Sequence, residues 1–261
     1  MPSTVEYNSA AWDKCSESKD QWTVPVDSFV IEEARRGRWS VRLTPFRSVP
    51  PNWFGDNVIA KDVLCLASGG GQQAPILAAA GANVTSFDNS ARQLQADQFV
   101  AERDELKIDL QQGDAADLSR FESESFDLIF HPCSNLFIPR LQPVWDECFR
   151  VLRRGGRLLV GFTKPEIFIF DQFEEDRSGD LIVKYSLPYS DEGSLSPDEL
   201  NVFLKEQRPL EFSHTLEEQI GGQALAGFYI IDLFEDKWND PNRTIDRYMS
   251  AFVATLATKP K

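Results

Sequence analysis

From residue 62 onward, short apolar runs alternate with segments of helical spacing, and this alternation constrains the fold more than any other feature. Strands that alternate with helices at this spacing form parallel pairs with right-handed crossovers. The chain is therefore predicted to be α/β, with a doubly wound, mostly parallel sheet and helices on both faces. The runs that predict strands are 63–66, 83–87, 107–111, 126–130, 157–162, 228–234 and 251–257.

Two segments depart from this rhythm. Residues 1–60 are rich in tryptophan and proline, and we predict that they wrap the core with short helices near 9–18 and 28–36. Residues 163–212 interrupt the pattern after the fifth predicted strand, and an insertion at that place is expected to cover a substrate site. The remaining chain, residues 61–261, forms one predicted domain that contains the insertion.

Composition excludes several classes of function. The chain has 27 Lys and Arg against 41 Asp and Glu, a net charge of −14, so nucleic acid is not an expected partner. No apolar run is long enough to span a membrane, and residues 1–6 do not begin a signal peptide, so a cytoplasmic location is expected. Four isolated cysteines and two histidines are too few for a zinc site, so no metal is expected.

A glycine-rich turn follows the first predicted strand. Residues 64–71 read Leu-Cys-Leu-Ala-Ser-Gly-Gly-Gly, and Asp88 ends the next strand. Glycines allow close approach of a ligand to the backbone and the helix that follows offers free N–H groups, whereas Asp88 can bind both hydroxyls of a ribose. Gly69, Gly71 and Ala74 also satisfy a dinucleotide fingerprint, so an adenosine-type cofactor is predicted without a choice between nicotinamide and other cofactors.

Three later motifs narrow this choice. Gly113 and Asp114 follow the third strand, where an aspartate can bind an adenine amino group. Residues 126–130 read Phe-Asp-Leu-Ile-Phe and lead into His131, and residues 150–160 form a helix, a Gly-Gly turn and a strand. In this order the motifs resemble those of the class I S-adenosylmethionine-dependent methyltransferases, in particular the small-molecule UbiE-like group.

The resemblance implies a seven-stranded Rossmann-like sheet whose last strand is antiparallel, with S-adenosylmethionine as cofactor. Two departures stand in the first motif, where Cys65 replaces the usual acid and Ala67 the first glycine. The residues expected to bind the cofactor are Ala67, Ser68, Gly69, Gly71, Asp88, Asn89, Asp114, Ala115 and His131.

Methyl transfer to an oxygen or a protonated nitrogen also needs a proton acceptor. His131 follows the fourth strand and His214 precedes the last predicted helix, and histidine titrates near neutral pH. Asn135 is placed to orient a polar group of the substrate. These three residues are the catalytic candidates.

The predicted function is therefore transfer of a methyl group from S-adenosylmethionine to a small-molecule acceptor by in-line displacement. An NAD(P)-dependent oxidoreductase is the first alternative, but the chain lacks a Tyr-x-x-x-Lys pair. A non-catalytic cofactor-binding protein is the second, supported by Cys65 and Ala67. The identity of the acceptor and the oligomeric state do not follow from the sequence.

Overall fold

One seven-stranded sheet organises the molecule. A computed structural model describes residues 3–261, apart from the side chain of Asp176; Met1 and Pro2, the start of the N-terminal sequence considered above, lie outside the described residues. The strand order is β3-β2-β1-β4-β5-β7-β6, and only β7 runs antiparallel to its neighbours. This order confirms the predicted fold class. The strands are β1 Asp62–Leu66, β2 Asn83–Asp88, β3 Ile108–Gln112, β4 Phe126–His131, β5 Leu152–Thr163, β6 Tyr229–Asp236 and β7 Phe252–Thr258.

Helices cover both faces of this sheet, which explains why the strand sequences are apolar throughout. In β1, Val63 and Cys65 belong to one buried cluster while Leu64 and Leu66 belong to the other. The helices are α1 Thr4–Glu17, α2 Ser28–Arg35, α3 Gln73–Ala79, α4 Ala91–Arg103, α5 Gln142–Val151, α6 Gln172–Ser178, α7 Asp191–Ser194, α8 Pro197–Glu206 and α9 Gly222–Ala226. In residues 3–261 no helix has the length and apolar character needed to cross a membrane.

The N-terminal segment packs closely against β5 where Leu43 meets Gly161. A Cβ atom placed on Gly161 would lie 2.0 Å from the carbonyl oxygen of Leu43, so glycine is required at this crossing. The same carbonyl accepts a hydrogen bond from the backbone N–H of Cys133 at 2.9 Å. Residues near 43 therefore lie close to the end of β4, where the predicted site begins.

Three local predictions need correction. The last predicted helix, which the sequence indicates after His214 as one helix over 215–226, divides into a π-helical turn, Glu217–Gly221, and the short α9. β5 begins at Leu152 rather than 157, because Leu152 already pairs with Phe126 of β4 before an irregularity, after which pairing resumes at Arg157. The first helix begins at Thr4 rather than near 9, because Ser3 and Glu6 form a capping box.

Candidate active site

A cavity of about 900 Å³ opens at the carboxyl ends of β1 to β4, the edge where doubly wound sheets bind ligands. Its walls come from two sources. We call the part formed by the turns after β1, β2 and β3 the cofactor half. We call the part formed by α1, residues 20–45, residues 132–138 and residues 163–252 the acceptor half. The sequence-predicted residues that line the cofactor half are Ala67, Ser68, Gly69, Asp88, Asn89, Asp114 and Ala115.

The turn after β1 has an unusual backbone. Ala67 has a φ of +46°, in the left-handed region that favours glycine, where a side chain costs about 1 kcal/mol. Gly70 and Gly71 follow with φ values of +116° and +75°. Ala67 therefore occupies the position of a motif glycine in the conformation that a glycine would adopt.

Asp88 connects the turns after β1 and β2. Its carboxylate accepts hydrogen bonds from the backbone N–H of Gly69 at 3.0 Å and from that of Ser90 at 2.9 Å. Burial raises the pKa of Asp88, although these two N–H groups oppose the shift. Each carboxylate oxygen keeps a free lone pair, so Asp88 can still accept from a ligand.

Two buried polar atoms of the cofactor half lack a partner within the described residues. They are the hydroxyl oxygen of Ser68 and the side-chain oxygen Oε1 of Gln93. Both residues line the cavity beside Asp88. An unpaired buried polar atom costs about 1–3 kcal/mol, so a polar ligand would stabilise this wall. The residues present thus fit a cofactor with hydroxyl and amino groups, as the sequence resemblance implies.

The turn after β3 completes the cofactor half. Asp114 accepts a hydrogen bond from the backbone N–H of Ala116 at 3.0 Å, which fixes its side chain at the cavity wall. A Cβ atom on Gly113 would lie 2.4 Å from the ring of Phe87, so glycine allows the turn to pack against β2. The backbone carbonyl of Asn89 accepts from Ser9 of α1 at 2.7 Å.

The other predicted site residues lie outside the cavity wall. Gly71 packs against Pro25, and a Cβ atom there would lie 2.7 Å from that side chain. His214 is 4% exposed, and its Nε2 lies 2.8 Å from the carbonyl of Ile138, so it joins the last helical segment to the loop after β4. Burial lowers the pKa of His214.

His131 and Asn135 form a buried polar chain beneath the cavity. Nδ1 of His131 donates to the carbonyl of Leu66 at 2.9 Å, and Nε2 lies 2.7 Å from the side-chain amide of Asn135. That amide lies 2.7 Å from the side chain of Gln219. The Asn135 atom that faces Nε2 is Oδ1, and Nδ2 of the same amide donates to Oε1 of Gln219. Burial lowers the pKa of His131, and the bonds to Leu66 and Asn135 oppose this shift. This geometry favours a structural role, and catalysis by the two residues stays a prediction.

The acceptor half combines aromatic walls with one partly buried carboxyl group, that of Glu211. Trp12 packs edge to face against Phe137 at 5.0 Å, and Trp22 and Trp238 lie 5.8 Å apart. Glu211 lines the same space, and its backbone N–H and carbonyl bond to Asp191. Burial, reinforced by the charge of Asp191 and opposed by Arg208 and Arg243, raises the pKa of Glu211 to about 8.

Sequence reasoning missed Gln93, Glu211 and the fully buried Asp97. Gln93 and Asp97 are four residues apart in α4 and both face inward. Two polar residues at this spacing among apolar ones are a usable signal, because a buried polar group requires partners. No comparable signal exists for Glu211, which follows α8 in an irregular segment.

Comparison with known proteins agrees with this geometry. A family model described as a methyltransferase domain matches residues 64–160. An uncharacterized methyltransferase of Bacillus subtilis strain 168, YbaJ, is 46% identical over 99% of this chain and 100% of its own length. The ubiquinone/menaquinone biosynthesis C-methyltransferase UbiE of Rhizobium meliloti is 32% identical over 40% of each chain.

Solved structures show the same fold. An S-adenosylmethionine-dependent methyltransferase from Mesorhizobium loti superimposes with a TM-score of 0.60 at 15% identity, covering 78% of this chain and 93% of that one. A putative methyltransferase from Listeria monocytogenes gives 0.61 at 20% identity, covering 78% and 92%. With the motifs, the cavity and the full-length relative in agreement, the chain belongs to the class I S-adenosylmethionine-dependent methyltransferases.

Proposed function

We propose that this enzyme methylates a small molecule bound in the acceptor half of the cavity. The observation that carries the proposal is the continuity of two unlike surfaces, polar around Asp88 and aromatic around Trp12, in one space of about 900 Å³. That volume lies within the range of roughly 300–1,000 Å³ found for small-molecule sites. The net charge of −14 disfavours a nucleic-acid acceptor.

In this proposal, Ala67, Ser68, Gly69, Asp88 and Asp114 hold the cofactor, together with Asn89 and Ala115. When bound, S-adenosylmethionine would supply a methyl carbon activated by its sulfonium; a bond from the acceptor to that carbon would form as the carbon–sulfur bond breaks and S-adenosylhomocysteine leaves. The protein aligns the two molecules and excludes water. Residues 1–60 and 163–212 serve as the cover, because Trp12, Trp22 and Glu211 from these segments line the cavity.

The first experiment is calorimetric titration with S-adenosylmethionine, S-adenosylhomocysteine and NAD⁺, followed by a screen of small molecules for methyl incorporation by mass spectrometry. Binding of the first two ligands and methylation of a small molecule are expected. Binding of NAD⁺ alone would instead favour an oxidoreductase. Cofactor binding with methylation of proteins only would contradict the small-molecule acceptor.

We further propose that Glu211 accepts the proton of an acceptor hydroxyl or amine. A carboxyl group with a pKa near the working pH is suited to this task, and Glu211 lines the acceptor half. Turnover should rise with pH up to about 8, because the base must be ionised. Glu211→Gln should lower turnover and leave cofactor affinity unchanged, whereas the exposed control Glu192→Gln should change neither. Equal losses of turnover and affinity would contradict the assignment.

A further inference from the structure

A fully buried carboxylate supports the glycine-rich turn from below. Asp97 in α4 is 0% exposed. Its Oδ1 accepts a hydrogen bond from the backbone N–H of Gly71 at 2.7 Å, and its Oδ2 accepts from the hydroxyl of Ser86 at 2.6 Å. Asp97 thus links the end of the glycine-rich turn to β2, beneath the wall of the cofactor half.

Asp97 also lies next to the position where the first motif lacks its acid. Cys65 pairs in register with Ser86, the residue whose hydroxyl binds Asp97. Burial, and after it the charge of Asp97, raises the pKa of the Cys65 thiol. A carboxyl group therefore reaches the first motif, but α4 supplies it instead of β1.

The protonation of this carboxyl group is sensitive to pH near neutrality. Burial raises the pKa of Asp97 to about 7, the charge of Asp88 adds to the shift, and the bonds from Ser86 and Gly71 oppose it. The ionisable groups that face Asp97 are thus Asp88 at the end of β2 and Cys65 in β1. Ionised Asp97 places a negative charge directly under the turn.

We propose that Asp97 is a positioning residue for the cofactor turn and provides the carboxyl group that the first motif lacks at Cys65. The inference rests on the cofactor assignment made above and extends it to a residue that does not line the cavity. Ionised Asp97 should favour a ligand with a positive sulfonium over the neutral thioether that remains after transfer. The enzyme would then discriminate its cofactor from its product more strongly above pH 7.

The test is calorimetric titration of the full chain with S-adenosylmethionine and S-adenosylhomocysteine at pH 6 and pH 8. The wild-type affinity for S-adenosylmethionine should rise by roughly three- to tenfold more than that for the product, the size expected of one charge in a partly buried site. Asp97→Asn keeps a hydrogen-bonding side chain but removes the charge, so it should lose this difference. The exposed control Asp109→Asn should behave like the wild type.

Two outcomes would overturn the inference. One is an Asp97→Asn variant whose affinities for the two ligands depend on pH as those of the wild type do. The pH effect would then belong to another group that both proteins contain, such as Asp88. The other concerns Cys65→Asp, which should lower the melting temperature in the wild type by bringing two carboxylates together, and lower it less in the Asp97→Asn background. An equal fall in melting temperature in the two backgrounds would mean that positions 65 and 97 do not interact. If the wild type binds no S-adenosylmethionine, the cofactor assignment itself fails, which is a distinguishable result.

Discussion

The two halves of the cavity are built in different ways. The cofactor half comes from the turns after three successive strands, between residues 66 and 116, and it is held by backbone hydrogen bonds to Asp88, Asp97 and Asp114. The acceptor half joins segments that are far apart in the chain. Asn8 of α1, for example, binds the carbonyls of Phe137 and Leu210 at 2.9 and 3.0 Å.

This difference suggests why such enzymes can share a cofactor and differ in acceptor. A turn set by its own backbone tolerates few changes, whereas an assembly of distant segments can be altered at one segment without disturbing the sheet. The comparison also predicts that substitutions in the two halves of the cavity affect different properties of the protein. Variants at the joints of the acceptor half should lower stability, and variants in the cofactor half should lower cofactor affinity.

The largest effect is expected where the N-terminal segment crosses β5. Gly161→Ala places a Cβ atom 2.0 Å from the carbonyl oxygen of Leu43, so backbone must move. The free energy of unfolding should fall by about 3 kcal/mol, at the upper end for overpacked sites. Urea denaturation measures this, with Gly221→Ala as a control whose Cβ meets only Glu217 at 3.6 Å. Equal stability of the two variants would show that this crossing is not a tight joint.

A smaller loss is expected at the joint between α1 and the acceptor half. Asn8→Ala removes the two hydrogen bonds donated by its amide and the one it accepts from the backbone N–H of Leu210 at 2.8 Å. Buried partners left unpaired should lower the free energy of unfolding by about 2–3 kcal/mol. Thermal and urea denaturation test this. Ser16→Ala in the same helix is the control, because the Ser16 hydroxyl has no partner within residues 3–261. S-adenosylmethionine affinity should be nearly unchanged in folded Asn8→Ala protein, and a large loss would break the separation between the halves.

A substitution in the cofactor half should instead lower the affinity for the cofactor. Asp88→Ala should weaken S-adenosylmethionine binding by about 1–3 kcal/mol, because polar partners of the ligand and of the turn lose their acceptor. Calorimetry measures the affinity, with Asp109→Ala on β3 as an exposed control. An unchanged affinity would mean that the assignment of the second strand end is wrong.

The smallest effect is expected in the turn after β1. Ala67→Gly relieves a left-handed backbone and should raise the free energy of unfolding by up to about 1 kcal/mol. Ala60→Gly is the matched control, since Ala60 has a φ of +58° but lies away from the cavity wall. Both variants should gain similar stability in urea, while only Ala67→Gly should alter cofactor affinity. A loss of stability in both variants would show that the conformational entropy glycine adds to the unfolded chain outweighs the backbone strain that it relieves in the folded protein.

Much of the cofactor half could be predicted from sequence because its signals are local. A strand, a glycine-rich turn and a helix occupy adjacent residues, and the acid at Asp88 follows at a fixed distance along the chain. His131 is the last residue of β4, where the sequence predicted it just past the strand, and Asn135 lies in the turn that follows. The sequence does not show which way either side chain points. In the folded chain they point into the protein, toward Leu66 and Gln219.

The sequence alone determined the alternation of strands and helices over residues 62–162 and predicted the turns that face the cofactor, because periodicity and turn chemistry act over a few residues. The resemblance of its motifs to a known family implied the cofactor class. Only the tertiary structure decided what lies under and opposite those turns. Asp97 reaches Gly71 across 26 residues and Asn8 reaches Leu210 across 202. Such contacts exist only after the sheet has brought distant segments together, since the partner of a hydrogen bond is set by position in space and not by distance along the chain.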